Sequence, residues 1–179
     1  MKTKILSILA LLLTVTQGAW ALEGSGTAGS PYLLKTTADW TDFVNGVNNG
    51  TYATTACARL MYDISGTTYS INKDYSGTFD GNGHSIARGS GSADIPIFPT
   101  VNGATIKNLR VVGSFTFGAA NKGALIGNAT GNVTIENCII TANVTYTVTG
   151  TNSGGFIGQL DSGTLDMRGC VFSGSLTAP

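Results

Sequence analysis

Apolar and polar residues alternate along much of this chain, and between Ile97 and Leu176 the alternation itself repeats. One pattern, a small glycine-apolar step followed by a polar turn and a strand, occurs three times. Its copies are IPIFPTVNGATIKNLRVVG (95–113), GALIGNATGNVTIENCIITANV (123–144) and GGFIGQLDSGTLDMRGCVFSGSL (154–176). Ile106, Ile135 and Leu165 align in one register, and Leu109, Cys138 and Cys170 in the next apolar one. The copies are therefore 29 and then 30–32 residues apart, a period that signals stacked supersecondary units. Period-two alternation in runs rich in Ile, Val, Thr and Phe predicts strands, with no helical period. The expected fold is an all-β parallel β-helix (solenoid) of about three to four coils. About 30 residues hold three short strands and three turns, and coils stack at ~4.8 Å.

Alternate residues then face inward. The expected core of the repeats is Phe98, Val101, Ile106, Leu109, Val111, Leu125, Val133, Ile135, Cys138, Ile140, Val144, Phe156, Leu165, Cys170, Phe172 and Leu176, with Thr134, Glu136, Thr141, Thr145 and Thr147 facing solvent. Asn108 and Asn137 share a register, where stacked amides can bond between coils and satisfy turn backbone; the third copy has Gly169 there. Cys138 and Cys170 fall one coil apart, either as two stacked buried thiols or as a disulfide, since stacked Cα atoms lie near the range a disulfide accepts.

Upstream the pattern changes. Residues 22–35 form a polar lead-in ending in a first short strand, Pro31–Leu34. Within 36–50, Trp40, Phe43, Val44 and Val47 fall at i, i+3, i+4 and i+7, one face of the single predicted helix. A threonine caps its start, Asp39 and Asp42 lie in the first turn, and glycines at 46 and 50 end it. It is either an ordinary core helix or the lid on one open end of a solenoid core. Strands are predicted at 58–64 and 67–71. In SGTFDGNGHSIARGSGS (76–92), Phe79 and Ile86 point inward around an Asp80-Gly81-Asn82-Gly83 turn, as a hairpin or as the turn of the first full coil. Residues 51–179 are thus assigned to the solenoid. The chain stops just after a strand, with no visible cap, so it reads as the front part of something longer.

Composition changes the picture at the N-terminus. Lys2 and Lys4 precede an apolar run from Ile5 to Val15, and Ala19-Trp20-Ala21 supplies a small-x-small cleavage site. Residues 1–21 read as a secretory signal peptide; the run is too short to span a bilayer, which takes ~20 residues. Cleavage leaves eight basic and ten acidic residues, a formal −2. That balance gives no field for nucleic acid, and no later run is long enough for a membrane span. Three cysteines remain, without metal-ligand spacing.

With these residues assembled, the sequence resembles the GLUG-repeat family of exported bacterial (Bacteroides-like) surface proteins. The resemblance rests on SGTFDGNGHSI, NGATIKNLRVVG, the twice-used G-[AG]-[LF]-I-G step before a strand with NC or GC, and the lead-in GSGTAGSPYLLKTTADWTDFVNGV. It implies a right-handed, pectin-lyase-like parallel β-helix on or outside the cell surface, in proteins that are often adhesin-like. The motif also occurs beside the catalytic domain of surface metallopeptidases.

Chemistry is sparse. A glycoside hydrolase needs two carboxylates facing one cleft, and a calcium-dependent lyase needs a carboxylate cluster with a base. Only Glu136, Asp161 and Asp166 come near one another, as a weak acidic patch if Glu136 and Asp166 stack. His84 is the only histidine, and no nucleophile elbow is present. The expectation is a non-catalytic, secreted or surface-displayed module without cofactor or metal, presenting strand faces to glycans or host surface proteins. The alternatives are a carbohydrate-active enzyme of the pectin-lyase type and an accessory segment of a larger surface metallopeptidase.

Overall fold

The computed structural model describes residues 21–89, 94–149 and 152–179; the predicted signal peptide up to Trp20 and most of the 89–93 loop lie outside them. Among the described residues the chain forms a parallel β-helix preceded by one helix. A lead-in strand β1 (Tyr32–Leu34) is followed by helix α1 (Thr37–Asn49). Coil one holds β2 (Ala58–Leu60) and β3 (Ile64–Thr67), and coil two holds β4 (Thr78–Asp80) and β5 (Ser85–Arg88). Coil three holds β6 (Phe98–Asn102), β7 (Thr105–Lys107) and β8 (Arg110–Phe117). Coil four holds β9 (Lys122–Gly123), β10 (Ile126–Thr130), β11 (Asn132–Glu136) and β12 (Ile139–Tyr146). Coil five holds β13 (Ser153–Gly154), β14 (Ile157–Leu160), β15 (Thr164–Arg168), β16 (Val171–Phe172) and β17 (Ser175–Thr177).

Stacking turns these coils into sheets. The first sheet has the order β1-β2-β4-β7-β11-β15, the second β16-β12-β8-β5-β3 with β17 also on β12, and the third β14-β10-β6. All strand pairs in them are parallel. There are about five coils rather than three to four, because the short strands at 58–67 and 78–88 each complete a coil of their own. The 76–92 segment is accordingly no hairpin: β4 and β5 pair not with each other but with strands of coils one and three.

The helix forms as its end signals dictate. Thr36 is the N-cap, its side chain accepting from Asp39 N while the Asp39 carboxylate accepts from Thr36 N; Gly50 closes the helix in the left-handed conformation (φ 84°). Trp40, Phe43, Val44 and Val47 are all buried, and the helix packs on β1 and β3. Trp40 reaches into the solenoid, edge-on to Phe79 at 5.7 Å and to Phe98 at 6.5 Å. That geometry is a lid whose aromatic side chain plugs the end of the core.

Four expectations are corrected. The strand predicted over 58–64 ends at Leu60, where the chain bends and leaves the Tyr62 ring 63% exposed. The next strand starts at Ile64 rather than Thr67, its pairing with β5 fixed by Ile64↔Ile86. Leu165 stacks on Val133, and Met167 takes the register of Ile106 and Ile135. The third copy inserts its extra residue in the turn before β15, since Ala129↔Leu160 and Asn132↔Thr164 differ by one in offset. In coil five, Phe156, Leu165, Cys170 and Phe172 are half-buried, and Leu176 is 53% exposed, not core.

The cysteines are free thiols. Cys138 Sγ lies 3.4 Å from Glu136 O and 3.6 Å from Ile106 O, and Cys170 Sγ lies 3.4 Å from both Arg168 O and Ile135 O. Burial pushes the Cys138 thiol up to about 12, so it carries little thiolate. A thiol reagent should therefore label half-buried Cys57 and Cys170 well before Cys138 in the native protein, as read by peptide mass mapping; first labelling at Cys138 would contradict this packing.

Candidate ligand-binding face

The outward side of the first sheet carries the most ordered set of polar groups. Its inward row is Ala58, Phe79, Ile106, Ile135 and Met167, one residue per coil. The residue after each points outward, and those residues also stack: Arg59↔Asp80, Asp80↔Lys107, Lys107↔Glu136 and Glu136↔Arg168. The signs alternate along all five coils. Like charges directly opposite on neighbouring strands repel and opposite ones attract, so this order stabilises the in-register stack. On one flank lies a row of hydroxyls, Thr78, Thr105 and Thr134.

On the other flank runs a column of turn residues held at positive φ: Asn108 at 52°, Asn137 at 51° and Gly169 at 62°. Asn137 Nδ2 donates to Asn108 Oδ1 at 3.3 Å, and Asn108 Nδ2 donates to Asp80 Oδ1 at 3.0 Å. The amide ladder thus continues below Asn108 into a carboxylate. Above Asn137 the backbone conformation persists but the amide does not, because a Cβ at Gly169 would sit 2.3 Å from Asn137 Oδ1.

A cleft of about 200 Å³ opens at the lower end of this face. Its walls include Ala28 and Pro31 of the lead-in, Cys57, Ala58, Arg59, Thr78, Asp80 and Lys107. The lead-in wall is fixed in place: Tyr32 N donates to Cys57 O, Cys57 N to Gly26 O, and Leu33 N to Glu23 O, all at 2.8–2.9 Å. Asp80 lies at the bottom, 8% exposed. Its carboxylate accepts from Asn82 N at 2.9 Å and from Asn108 Nδ2, and pairs with Arg59 Nη2 at 3.3 Å. Burial works to raise its pKa, but the Asn108 and Asn82 donors and the Lys107 and Arg59 charges together hold it below the usual carboxylate range. Among the described residues Lys107 takes part in no ion pair. The cleft therefore presents two basic side chains around one fully bonded carboxylate.

A sign for stability against pH follows. A carboxyl whose folded pKa lies below its unfolded value of ~3.9 stabilises the fold fully above that value, and the contribution is lost as pH falls through the folded value. Asp80→Asn keeps the acceptor for Asn82 N and removes the Arg59 pair. It should cost about 1–2 kcal/mol at pH 7 and make urea stability fall less steeply than wild type between pH 5 and 3. Identical acid limbs would show that Asp80 is not coupled to folding.

The three carboxylates singled out from sequence are not one cluster. Glu136 stacks on Arg168, not on Asp166, and Asp166 stacks on Thr134. Arg168 lies between the two acids, 2.9 Å from Asp166 and 3.8 Å from Glu136. Asp161 is in the preceding turn, where its side chain accepts from Gln159 Nε2. No group of three or more His, Cys, Asp or Glu among the described residues could hold a metal ion. His84 sits on the turn between β4 and β5, 3.6 Å from Asp63 and near the Tyr62 ring. Arg59, Asp80 and Lys107 were missed because each looks unremarkable alone. The signal was their position directly after an inward-facing residue in successive coils.

No protein-family model matches this chain, and neither a curated protein nor a solved structure matches it. No helix among the described residues is long and apolar enough to cross a membrane.

Proposed function

We propose that this chain is a secreted or surface-displayed, non-catalytic β-helix module, adhesin-like, that binds glycans or host surface proteins through its strand faces. The observation that carries the reading is the outward face of the first sheet, where a charged row repeats in every coil, flanked by hydroxyls in three coils and stacked amides in two, beside a preformed cleft. Such a face offers many weak polar contacts at fixed spacing, the recognition that a repetitive, hydroxyl-rich ligand requires. The resemblance to exported GLUG-repeat proteins and the signal-peptide-like leader support an exported compartment.

The carbohydrate-active alternative asks Glu136, Asp161 and Asp166 to act together. Arg168 lies between Glu136 and Asp166 and pairs with both, and Asp161 is held in a separate turn. That arrangement favours binding over hydrolysis. The test is a panel of immobilised glycans and matrix proteins, probed with the folded chain beginning at Leu22 and scored beside reducing-end release from the same glycans. Saturable binding without product supports the reading. Product formation, or a uniformly blank panel, overturns it.

A further inference from the structure

We propose that the cleft at Arg59, Asp80 and Lys107 binds an acidic polysaccharide in which every second sugar carries a carboxylate, laid along the solenoid axis. The inference rests on the glycan-binding reading above and names the ligand class for that face.

The spacing is the first argument. Arg59 and Lys107 are in register with Asp80 on either side of it, so they are two interstrand steps apart, ~9.6 Å. One ring of an extended, β-linked sugar chain is about as long as one interstrand step. Cations on every second strand therefore meet carboxylates on every second sugar.

The groups between the cations are the second argument. Asp80 keeps its negative charge, and its bonds to Asn82, Asn108 and Arg59 leave it no call for a proton from a ligand. A carboxylate on the intervening sugar would face it in a half-enclosed cleft, a repulsive element that rejects polymers charged on every ring. Glu136, its side chain 38% exposed, repeats that barrier one coil beyond Lys107. Arg168 is held by two carboxylates, Asp166 and Glu136, whereas Arg59 meets only Asp80 and keeps its side chain 44% exposed, and Lys107 has no ion pair among the described residues, so Arg59 and Lys107 are the cations a ligand can reach. The shortest ligand that satisfies the site is an acidic–neutral–acidic trisaccharide.

The cleft is preorganised for it. Ala28 and Pro31 offer an apolar wall for a ring face, and backbone bonds from the lead-in to Cys57 hold that wall whether or not ligand is present. Binding then pays little to order the site.

The same ladder would serve stability alone if nothing bound, and titration calorimetry with defined polymers separates the two roles. The probes are hyaluronan oligosaccharides (uronate alternating with a neutral sugar), polygalacturonate fragments (a carboxylate on every sugar) and neutral cello-oligosaccharides, at one ionic strength. Hyaluronan should bind, weaken as salt is raised, and exceed polygalacturonate by roughly tenfold. Lys107→Glu should lower hyaluronan affinity by roughly tenfold or more. Lys107→Gln gives a smaller loss in the same direction and serves if the charge reversal fails to fold. Glu136→Gln should narrow the gap between the two acidic polymers. Equal affinity for both, or hyaluronan binding indifferent to both Lys107 variants, overturns the inference. Binding confined to neutral sugars overturns it while leaving the broader reading intact; inertness toward all three polymers overturns it too, and the broader reading is then decided by the glycan and matrix-protein panel above.

Discussion

Gly81→Ala should destabilise the fold sharply. A Cβ built at Gly81 lies 2.5 Å from both Asn108 O and Leu109 Cα, backbone atoms of the next coil. Neither can move away, because Gly81 N donates to Lys107 O at 2.7 Å and Gly83 N to Asn108 O at 2.8 Å. One methyl group would therefore have to prise coils two and three apart. Overpacking typically costs 1–3 kcal/mol where side chains can adjust; here the obstacle is main chain, and about 3 kcal/mol or more is expected. That is a large share of the ~5–15 kcal/mol that holds a domain folded. Two residues on, Gly83 has nothing within 4 Å of a built Cβ but sits at φ 81°. Gly83→Ala pays only the left-handed strain, about 1–2 kcal/mol. Urea midpoints of the two variants should separate clearly, and a Gly81→Ala midpoint at or above that of Gly83→Ala would refute the close-stacking argument.

Trp40→Ala is the second large effect. The indole is fully buried, edge-on to Phe79 and Phe98, with Nε1 3.4 Å from Tyr69 O. Phe43, on the same helix face, stands edge-on to Tyr75 at 6.4 Å, so the lid shares one aromatic cluster with coils two and three. Removing the indole leaves a cavity that this rigid surround cannot close, with an expected loss of about 3–5 kcal/mol. Trp40→Phe refills most of the volume and should recover more than half. Thermal unfolding followed by far-UV circular dichroism measures both. A loss below about 1 kcal/mol for the alanine variant would mean that the helix rests on the solenoid without plugging it.

Much of this architecture was legible in the residues. The repeat period, the alternation and the helix end signals are local properties, and local chemistry decides them: Thr36 with Asp39 caps, and Gly50 ends, as any such sequence would. Coil count was harder, because β2 to β5 are only three or four residues long, too short for alternation to stand out. The register of coil five differs from the expected one because its extra residue lies in the turn ahead of Thr164, where no apolar position marks it. The face of the first sheet was hidden for a different reason. Arg59, Asp80, Lys107, Glu136 and Arg168 acquire meaning only beside partners more than twenty residues away, and nothing in a single strand announces them.

Measured between successive members of that charged row, the coils grow: 21 residues from Arg59 to Asp80, then 27, 29 and 32. The solenoid is a tapered body. Since the row stays in register throughout, the added length is taken up away from it, partly by the third sheet, which begins only at coil three. The first sheet thus acts as a spine of constant pitch while the opposite contour widens. At the narrow end a helix of 13 residues, ~20 Å long, suffices to close the cross-section. The same division of labour frees the contour to vary in length and composition from coil to coil without disturbing the spacing of groups along the spine.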